Sequence, residues 1–154
     1  MIDIENQSQM KTEVDVFREF LAHKDMRFTP EREAILGEVF AEHDHFDVEE
    51  LIMRLRQKGQ RISRASVYRT LALLVESGLV QEVFYEDGHM HYEHIYGHDH
   101  HCHLRCLGCR RIVEFRDPAV EEAEKRIGSA RDFATTGHRL EIYGYCRQCR
   151  EKKE

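Results

Sequence analysis

Apolar side chains in the first half of the chain recur every three or four residues, which is the spacing of an amphipathic helix. Four such stretches begin with a side chain that can accept a hydrogen bond from the first helical turn: Thr12, Thr29, Asp47 and Ser63. The third and fourth stretches end before a glycine, Gly59 and Gly78 respectively. The pattern therefore predicts four short helices before residue 78.

Two strand-like stretches follow, at residues 79–85 and 89–93, on either side of Glu86-Asp87-Gly88. An Asp-Gly pair between two such stretches is a strong signal for a hairpin turn. Helices followed by a two-stranded ribbon are typical of a winged helix-turn-helix, and this is the fold that we expect for the first half.

The pattern changes after Glu93, where a histidine-rich segment leads into short strands at residues 104–106 and 111–115. Asp117-Pro118 then opens a helix, and residues 138–145 alternate as a strand; the side chains expected to face inward from this helix are Val120, Ala123 and Ile127. We place the boundary near Tyr92, which gives domains of residues 1–92 and 93–154. Roughly 60 residues make a small core, and domains of that size commonly need a metal or a partner subunit.

Composition excludes a membrane protein. Of the 154 residues 41% are apolar, the formal net charge is −6 and the mean hydropathy is −0.64. No run approaches the ~18–20 apolar residues of a membrane span, and the first ten residues lack the basic and apolar regions of a signal peptide. We therefore expect a cytoplasmic protein, and the net acidity argues against non-specific coating of nucleic acid.

A local basic segment contrasts with this acidity. Residues 51–75 contain six basic side chains and no acidic one: Arg54, Arg56, Lys58, Arg61, Arg64 and Arg69. If the fourth helix buries Val67, Leu71 and Leu74, its outer side presents Arg64, Ala65, Tyr68 and Arg69. Arginine can pair with guanine, and small or aromatic groups can pack on thymine methyls. The alternative is an ordinary solvated helix, but the capped helix beside a hairpin favours DNA binding.

Two CxxC pairs predict a structural zinc site. Cys106 and Cys109 form one pair, and Cys146 and Cys149 form the other. Two such pairs complete a tetrahedron of thiolates, which leaves no open position for a substrate, and the metal then supplies folding free energy. The alternative is two unrelated redox or free cysteine pairs.

The histidine-rich segment Asp99–His103 predicts two further sites. In an extended chain His101 and His103 share one face, while His100 and Cys102 share the other. Imidazole with carboxylate suits Fe, Mn, Co or Zn, and the candidate carboxylates are Glu93, Glu114 and Glu121. His45 is either a surface residue or a remote ligand. We expect His23 and His43 to be solvated, with His94 and His98 as candidates for weak metal contacts.

The order of motifs resembles that of the ferric uptake regulator family over roughly residues 12–151. The motifs that carry the resemblance are Arg27-Phe28-Thr29-Pro30-Glu31-Arg32, His45 before Val48-Glu49-Glu50-Leu51, Ala65-Ser66-Val67-Tyr68-Arg69-Thr70-Leu71, and His100-His101-Cys102-His103-Leu104-Arg105-Cys106-Leu107-Gly108-Cys109. The resemblance implies an α+β fold in which a winged helix-turn-helix precedes a small α/β dimerisation domain. It also implies a homodimeric, metal-activated transcriptional repressor of double-stranded operator DNA, with no enzymatic activity and no small organic substrate.

Residue roles follow from the same resemblance. Tyr68 and Arg69 look like the base-contacting pair, Arg27 like a minor-groove residue and Arg32 like a phosphate contact; Arg64 joins them because of its place on the basic helix. The ligands of a sensory site that bridges the domains correspond to His45, Glu93, His101, His103 and Glu114. The structural zinc ligands correspond to Cys106, Cys109, Cys146 and Cys149, and those of a third site to His100, Cys102, Glu121 and His138.

Three departures or alternatives accompany the resemblance. The family usually has Asp at the position of Cys102. A thiolate there would favour Zn²⁺ or make the site redox-sensitive; the alternative is that Cys102 is a buried residue with no part in the site. One extra residue between Glu93 and the histidine cluster weakens the match at Glu93. Glu114 resembles the iron-responsive branch, which predicts Fe²⁺ as regulatory metal, with Mn²⁺ or Zn²⁺ and the peroxide- and zinc-sensing branches as alternatives.

Two functions of other classes compete with this interpretation. A zinc enzyme is suggested by His91-Tyr92-Glu93 ahead of Cys106-Leu107-Gly108-Cys109, which faintly resembles a deaminase signature. Arg105 replaces the proline of that signature, and the second CxxC pair would close the metal. A metal-storage protein would need no acid-free basic segment, so both alternatives are weaker than a DNA-binding regulator.

Overall fold

The computed structural model describes residues 10–152, so the N-terminal residues 1–9, which carry most of the segment examined for a targeting signal, lie outside it together with residues 153–154. The chain forms two compact units, the first ending at Gly97 and the second beginning at His98. The first unit contains four helices and a hairpin: α1 (Glu13–His23), α2 (Pro30–Ala41), α3 (Val48–Gln57), α4 (Arg64–Glu76), β1 (Val80–Glu86) and β2 (His89–His94). The second contains β3 (Cys102–Cys106), β4 (Ile112–Phe115), α5 (Pro118–Ser129), β5 (Glu141–Gly144) and α6 (Arg147–Glu151).

The four predicted helix starts are confirmed. Each cap side chain accepts a hydrogen bond from the backbone N–H three residues later; the caps are Thr12, Thr29, Asp47 and Ser63. Gly59 and Gly78 follow α3 and α4 with positive φ angles of 77° and 76°, a conformation that glycine adopts without steric cost. Local chemistry therefore sets the start of all four helices and the end of α3 and α4.

The first unit has a well-formed apolar core. Side chains from all four helices and from β1 are almost completely buried, including Phe17, Ile35, Leu51, Val67, Leu71, Leu74 and Val80. The predicted inward face of α4 is confirmed because Val67, Leu71 and Leu74 all belong to this core. The basic outer face of α4 is consequently held on a rigid support.

The hairpin extends the first unit beyond the expected boundary at Tyr92. β1 and β2 pair antiparallel, and the turn between them places Asp87 and Gly88 at positive φ angles of 50° and 81°. Glu93 and His94 still pair with β1, and the Ile95 N–H donates to the Leu79 carbonyl. These ladder bonds keep residues 93–97 with the first unit, and Glu93 therefore belongs to that unit.

The second unit is built on a three-stranded sheet of order β4-β3-β5, in which β3 pairs antiparallel with β4 and parallel with β5. β3 begins at Cys102, earlier than expected, and β5 covers only residues 141–144 of the predicted strand 138–145. His138 lies before β5. Its ring bonds Glu124 of α5, and its carbonyl accepts a hydrogen bond from the His100 ring. Helix α6 was not predicted, since five residues are too few for a periodic signal.

Apolar packing is sparse in the second unit. Within residues 98–152 the only buried side chains of the apolar class are the thiols of Cys102 and Cys106. Ile127, expected to face inward from α5, is 47% exposed, and Leu104, Val113 and Ile142 on the sheet are exposed to a similar degree. A unit with so little core needs other sources of stability.

Candidate metal centres and nucleic-acid interface

The four CxxC sulfurs converge in the second unit. Cys106 ends β3, Cys109 follows in the next turn, and Cys146 and Cys149 flank the start of α6; their sulfur atoms all lie within 4.8 Å of one another. The Cys109 and Cys146 sulfurs are 3.9 Å apart, close to the separation of about 3.8 Å between two thiolates on one tetrahedral zinc ion. The cluster therefore fits a structural Zn²⁺.

Backbone geometry prepares this cluster for a cation. The Cys146 N–H donates to the Cys106 sulfur at 3.3 Å. Bonds from the backbone of Cys109 and Cys146 lower the pKa of the Cys106 thiol to about 6, whereas hydrogen bonding to Cys146 raises that of Cys149. A Cβ added at Gly108 would lie 2.8 Å from the Cys149 sulfur, so the close approach of the two knuckles requires glycine there.

One half of the predicted sensory set lies in the first unit. His45, just before α3, places Nε2 3.0 Å from a carboxylate oxygen of Glu93 on β2. Glu93 is 3% exposed and also accepts a hydrogen bond from the Gln81 side chain. The His45 ring lies against Phe84, with 5.8 Å between ring centroids. The first unit thus offers an imidazole and a carboxylate side by side.

The other half lies in the second unit. The rings of His101 and His103 are 4.9 Å apart between centroids, and His103 pairs with Glu114 across β3 and β4. The Glu114 carboxylate is 3.6 Å from Nε2 of His101. The strand alternation expected for this segment thus brings His101, His103 and Glu114 together.

On the opposite face of the same segment, His100 and Cys102 lie beside His138, which precedes β5. The Cys102 sulfur lies 3.7 Å from Nε2 of His138, and the His100 and His138 ring centroids are 4.3 Å apart. Burial raises the pKa of the Cys102 thiol. Ligand atoms of all three residues lie within 4.8 Å of one another.

Two carboxylates of α5, Glu121 and Glu124, lie beside this cluster, and Glu124 is the one that bonds His138. Glu121 lies 3.7 Å from the Arg116 guanidinium, whereas Glu124, one turn later on α5, accepts a hydrogen bond from Nδ1 of His138 at 2.5 Å. The same bond lowers the pKa of the Glu124 carboxyl. Sequence reasoning missed Glu124, although its spacing of three residues from Glu121 places both on one helix face.

The predicted DNA-contacting residues lie on the first unit. Arg64, Tyr68 and Arg69 are exposed on α4, as is Arg27 after α1. Arg32 is half-buried and donates a hydrogen bond to the carbonyl of Arg27. Arg64 is paired with Glu49 of α3 through both of its terminal nitrogens, a partner that the sequence did not indicate. Arg69 approaches the hydroxyl of Ser66 at 3.3 Å.

The helices of residues 10–152 include none with the length and apolar character needed to cross a bilayer.

Comparison with known proteins then places the chain. A family model described as the ferric uptake regulator family matches residues 23–143. The peroxide-responsive repressor PerR of Staphylococcus epidermidis is 34% identical over 127 residues, covering 82% of this chain and 83% of that protein.

Solved structures give the same result. The Vibrio cholerae ferric uptake regulator is 33% identical with a TM-score of 0.64, covering 84% of this chain and 98% of that chain. The ferric uptake regulator from Francisella tularensis, solved with iron, is 27% identical with a TM-score of 0.65, covering 81% of this chain and 95% of that chain.

Proposed function

The chain belongs to the ferric uptake regulator family, and on that premise we propose that it is an iron-responsive transcriptional repressor that binds operator DNA as a homodimer. Its family makes it a metal-responsive, DNA-binding regulator. The choice of metal, the ligands and the DNA contacts are the parts of the proposal that experiment must test.

The outer face of α4 supplies the DNA contacts in this proposal. Tyr68 is 46% exposed beside Arg69, on a helix whose opposite side is anchored in the core. These two side chains reach base edges in the major groove, while Arg27, Arg32 and Arg64 contact the backbone or the minor groove. The acid-free segment 51–75 supports this assignment because phosphate binding requires local positive charge.

The division of the sensory ligands between the two units carries the regulatory part. His45 and Glu93 belong to the DNA-binding unit, and His101, His103 and Glu114 belong to the second unit. An ion bound by both sets of ligands stabilises only those arrangements of the two units in which both sets can reach it. Ion binding would therefore shift the protein towards those arrangements. In a homodimer this would set the spacing of the two α4 helices for a pseudo-palindromic operator.

Fe²⁺ is the regulatory ion in the proposal because the five side chains offer only imidazole and carboxylate ligands. Such ligands suit Fe²⁺ and Mn²⁺, whereas thiolates favour Zn²⁺. Zn²⁺ is assigned to Cys106, Cys109, Cys146 and Cys149, where it stabilises the second unit. His100, Cys102 and His138, with Glu124 holding His138, form the third site; Glu121 is the ligand proposed there on the family pattern alone.

Operator affinity of the His101→Ala/His103→Ala variant, measured anaerobically with and without Fe²⁺, tests the regulatory assignment. Wild-type protein should bind more tightly with Fe²⁺, and the variant should lose that increase while keeping its metal-free affinity. A His23→Ala/His89→Ala variant, which removes two exposed histidines elsewhere, should respond like wild type. An undiminished response of the His101→Ala/His103→Ala variant would refute the sensory assignment.

The exposed apolar stripe of the second unit supports the homodimer. Leu104, Val113 and Ile142 are neighbours across the three strands and are 44%, 42% and 47% exposed. A second copy would cover this stripe and supply the core that the unit lacks. Regulators of this family act as dimers, and we extend that to this chain.

Peroxide sensing is the second candidate, because the curated relative from Staphylococcus epidermidis is named as a peroxide-responsive repressor. The Fe²⁺-loaded protein should be challenged with peroxide and then assayed for operator binding and for oxidised residues. An iron-responsive repressor keeps its affinity and its histidines intact. Loss of binding with oxidation at His45 or His101 would assign the chain to the peroxide-sensing branch instead.

We further propose that the protein has no enzymatic activity and works in the cytoplasm. The four-thiolate cluster leaves a zinc ion no open coordination position for a substrate. Thiol pairs of this kind persist as metal ligands in a reducing compartment, which supports the cytoplasmic assignment. Membrane components and small organic substrates are accordingly not among the proposed partners.

A further inference from the structure

Two histidines outside all three proposed metal sites lie together in the first unit. Nδ1 of His43, in the loop after α2, is 3.1 Å from Nε2 of His94 at the end of β2. Sequence reasoning expected His43 to be solvated, and its ring is indeed exposed, but its nitrogen faces the buried His94. The pair is distinct from His45 and Glu93, which are their close neighbours in sequence.

The surroundings of His94 fix its proton. Its Nδ1 lies 2.9 Å from the Val39 carbonyl, and because a carbonyl oxygen only accepts, Nδ1–H donates this bond. In the neutral ring Nε2 then carries a lone pair directed at His43. A histidine whose second nitrogen donates to a backbone carbonyl is the usual arrangement of a metal-ligating imidazole.

The ring of His94 is also held in place. It stacks on Phe40 with 4.6 Å between centroids and 19° between planes, and only 6% of the residue is exposed. His43 meets it at 62°, edge to face. The His94 imidazole is therefore fixed and buried, and the exposed His43 imidazole contacts it from the solvent side.

The distance between the two nitrogens fits chelation. Two nitrogens bound to one tetrahedral zinc ion are about 3.3 Å apart, close to the observed 3.1 Å. Two neutral imidazoles suit Zn²⁺ better than Mn²⁺, because Mn²⁺ prefers oxygen ligands. Solvent can occupy the remaining positions beside the exposed His43.

Strand geometry separates this pair from the sensory ligands. Adjacent residues of β2 project to opposite faces, so Glu93 contacts His45 and Gln81 while His94 contacts Val39 and Phe40. We propose that His43 and His94 form a Zn²⁺ site within the DNA-binding unit, which links the loop after α2 to the hairpin and is separate from the sensory site.

The test counts Zn²⁺ bound by the full-length protein that retains its cysteine-bound zinc, using native mass spectrometry and equilibrium titration. His43→Ala is the main variant because His43 is exposed and its removal leaves the core intact. His94→Gln is the second variant, since its amide N–H can still donate to Val39. His23→Ala serves as the matched control for loss of an exposed histidine, and His45→Ala separates the new site from the sensory one.

We expect His43→Ala and His94→Gln each to lower the affinity for one bound Zn²⁺ ion by more than about tenfold. His23→Ala and His45→Ala should keep that affinity. Imidazole ¹⁵N spectra should show the Nε2 resonance of His94 shifting on Zn²⁺ addition in wild type and in His45→Ala. Unchanged Zn²⁺ affinity in His43→Ala, or an unmoved His94 resonance in wild type, would overturn the proposal.

Discussion

Arg64 begins α4 with its guanidinium already engaged by Glu49. One of its terminal nitrogens lies 2.9 Å from a Glu49 oxygen, and the other bonds the second oxygen of the same carboxylate. The side chains are 61% and 41% exposed, so the pair adds little stability. If Arg64 contacts a DNA phosphate as proposed, the Glu49 carboxylate competes with that phosphate for the same guanidinium.

Replacing Glu49 by Gln should therefore increase operator affinity by a few fold, because it frees Arg64 and removes a negative charge beside the phosphates. Affinity measured over a range of salt concentrations should show a steeper salt dependence than wild type. Glu33→Gln changes the charge equally on α2 and controls for the general field. An equal gain in both variants would contradict a specific role for the Glu49–Arg64 pair.

Zinc uptake by the cysteine cluster should depend on pH around the pKa of Cys106, which is lowered to about 6. Above this pH the thiolate is present in the metal-free protein, whereas at lower pH a proton competes with the metal. Zn²⁺ affinity of the apoprotein should therefore fall as the pH falls, because Cys149 must lose its proton throughout, and it should fall more steeply below about pH 6, where the Cys106 proton must be displaced as well. In Cys106→Ser this additional steepening below about pH 6 should be absent, as followed by competition with a chromophoric chelator.

Helices and strands of this chain differ in how well the sequence predicts them. The helices of the first unit carry their own caps, so Thr12 and Asp47 mark their starts without knowledge of the rest of the fold. The short strands depend on partners distant in the chain, and β5 pairs with β3 about 38 residues away in sequence. Local patterns cannot show where such a ladder begins or ends.

The cap of α4 gives a direct test of this local control. Ser63→Ala removes the hydroxyl that accepts from the Ser66 N–H at 3.1 Å, and it should lower the free energy of unfolding of the first unit by about 1 kcal/mol. Denaturant unfolding measures this change. Ser63→Thr keeps an accepting hydroxyl and should recover most of the loss; equal loss in both variants would mean that the cap is not the cause.

The candidate sites were predictable to the extent that they depend on spacing along one element. Alternation along residues 99–103 separated His101 and His103 from His100 and Cys102, and the CxxC spacing identified the cysteine cluster. Glu124 and Glu49 were missed because their roles depend on which elements pack together. The pairing of His43 with His94, 51 residues apart, was missed for the same reason.

The two units obtain their stability in different ways. Within residues 10–97 the first has a core of sixteen buried apolar side chains, whereas residues 98–152 bury no aliphatic, Phe or Tyr side chain within the single chain. The proposed zinc ion and the proposed second copy would supply to the second unit the stability that its small core does not. Its exposed stripe of Leu104, Val113 and Ile142 is where a second copy would contribute most.

Ile142→Glu should convert the proposed dimer to monomer, since it places a charge on the stripe that the second copy would cover. Sedimentation velocity gives the oligomeric state, and operator affinity should fall with it. Met53→Glu introduces the same charge at an exposed apolar residue of α3 and should leave the dimer intact. A dimer of unchanged affinity in Ile142→Glu would place the interface elsewhere.

Strand β3 is only five residues long, yet its two faces and the loop before it supply ligands to separate sites. Any ion that straightens or twists this backbone for one face alters the ligand positions on the other. If a first ion changes the affinity for a second ion by some factor, thermodynamic linkage requires that the second ion change the affinity for the first by the same factor. The metal response of this protein should accordingly vary with how much of a second metal is present.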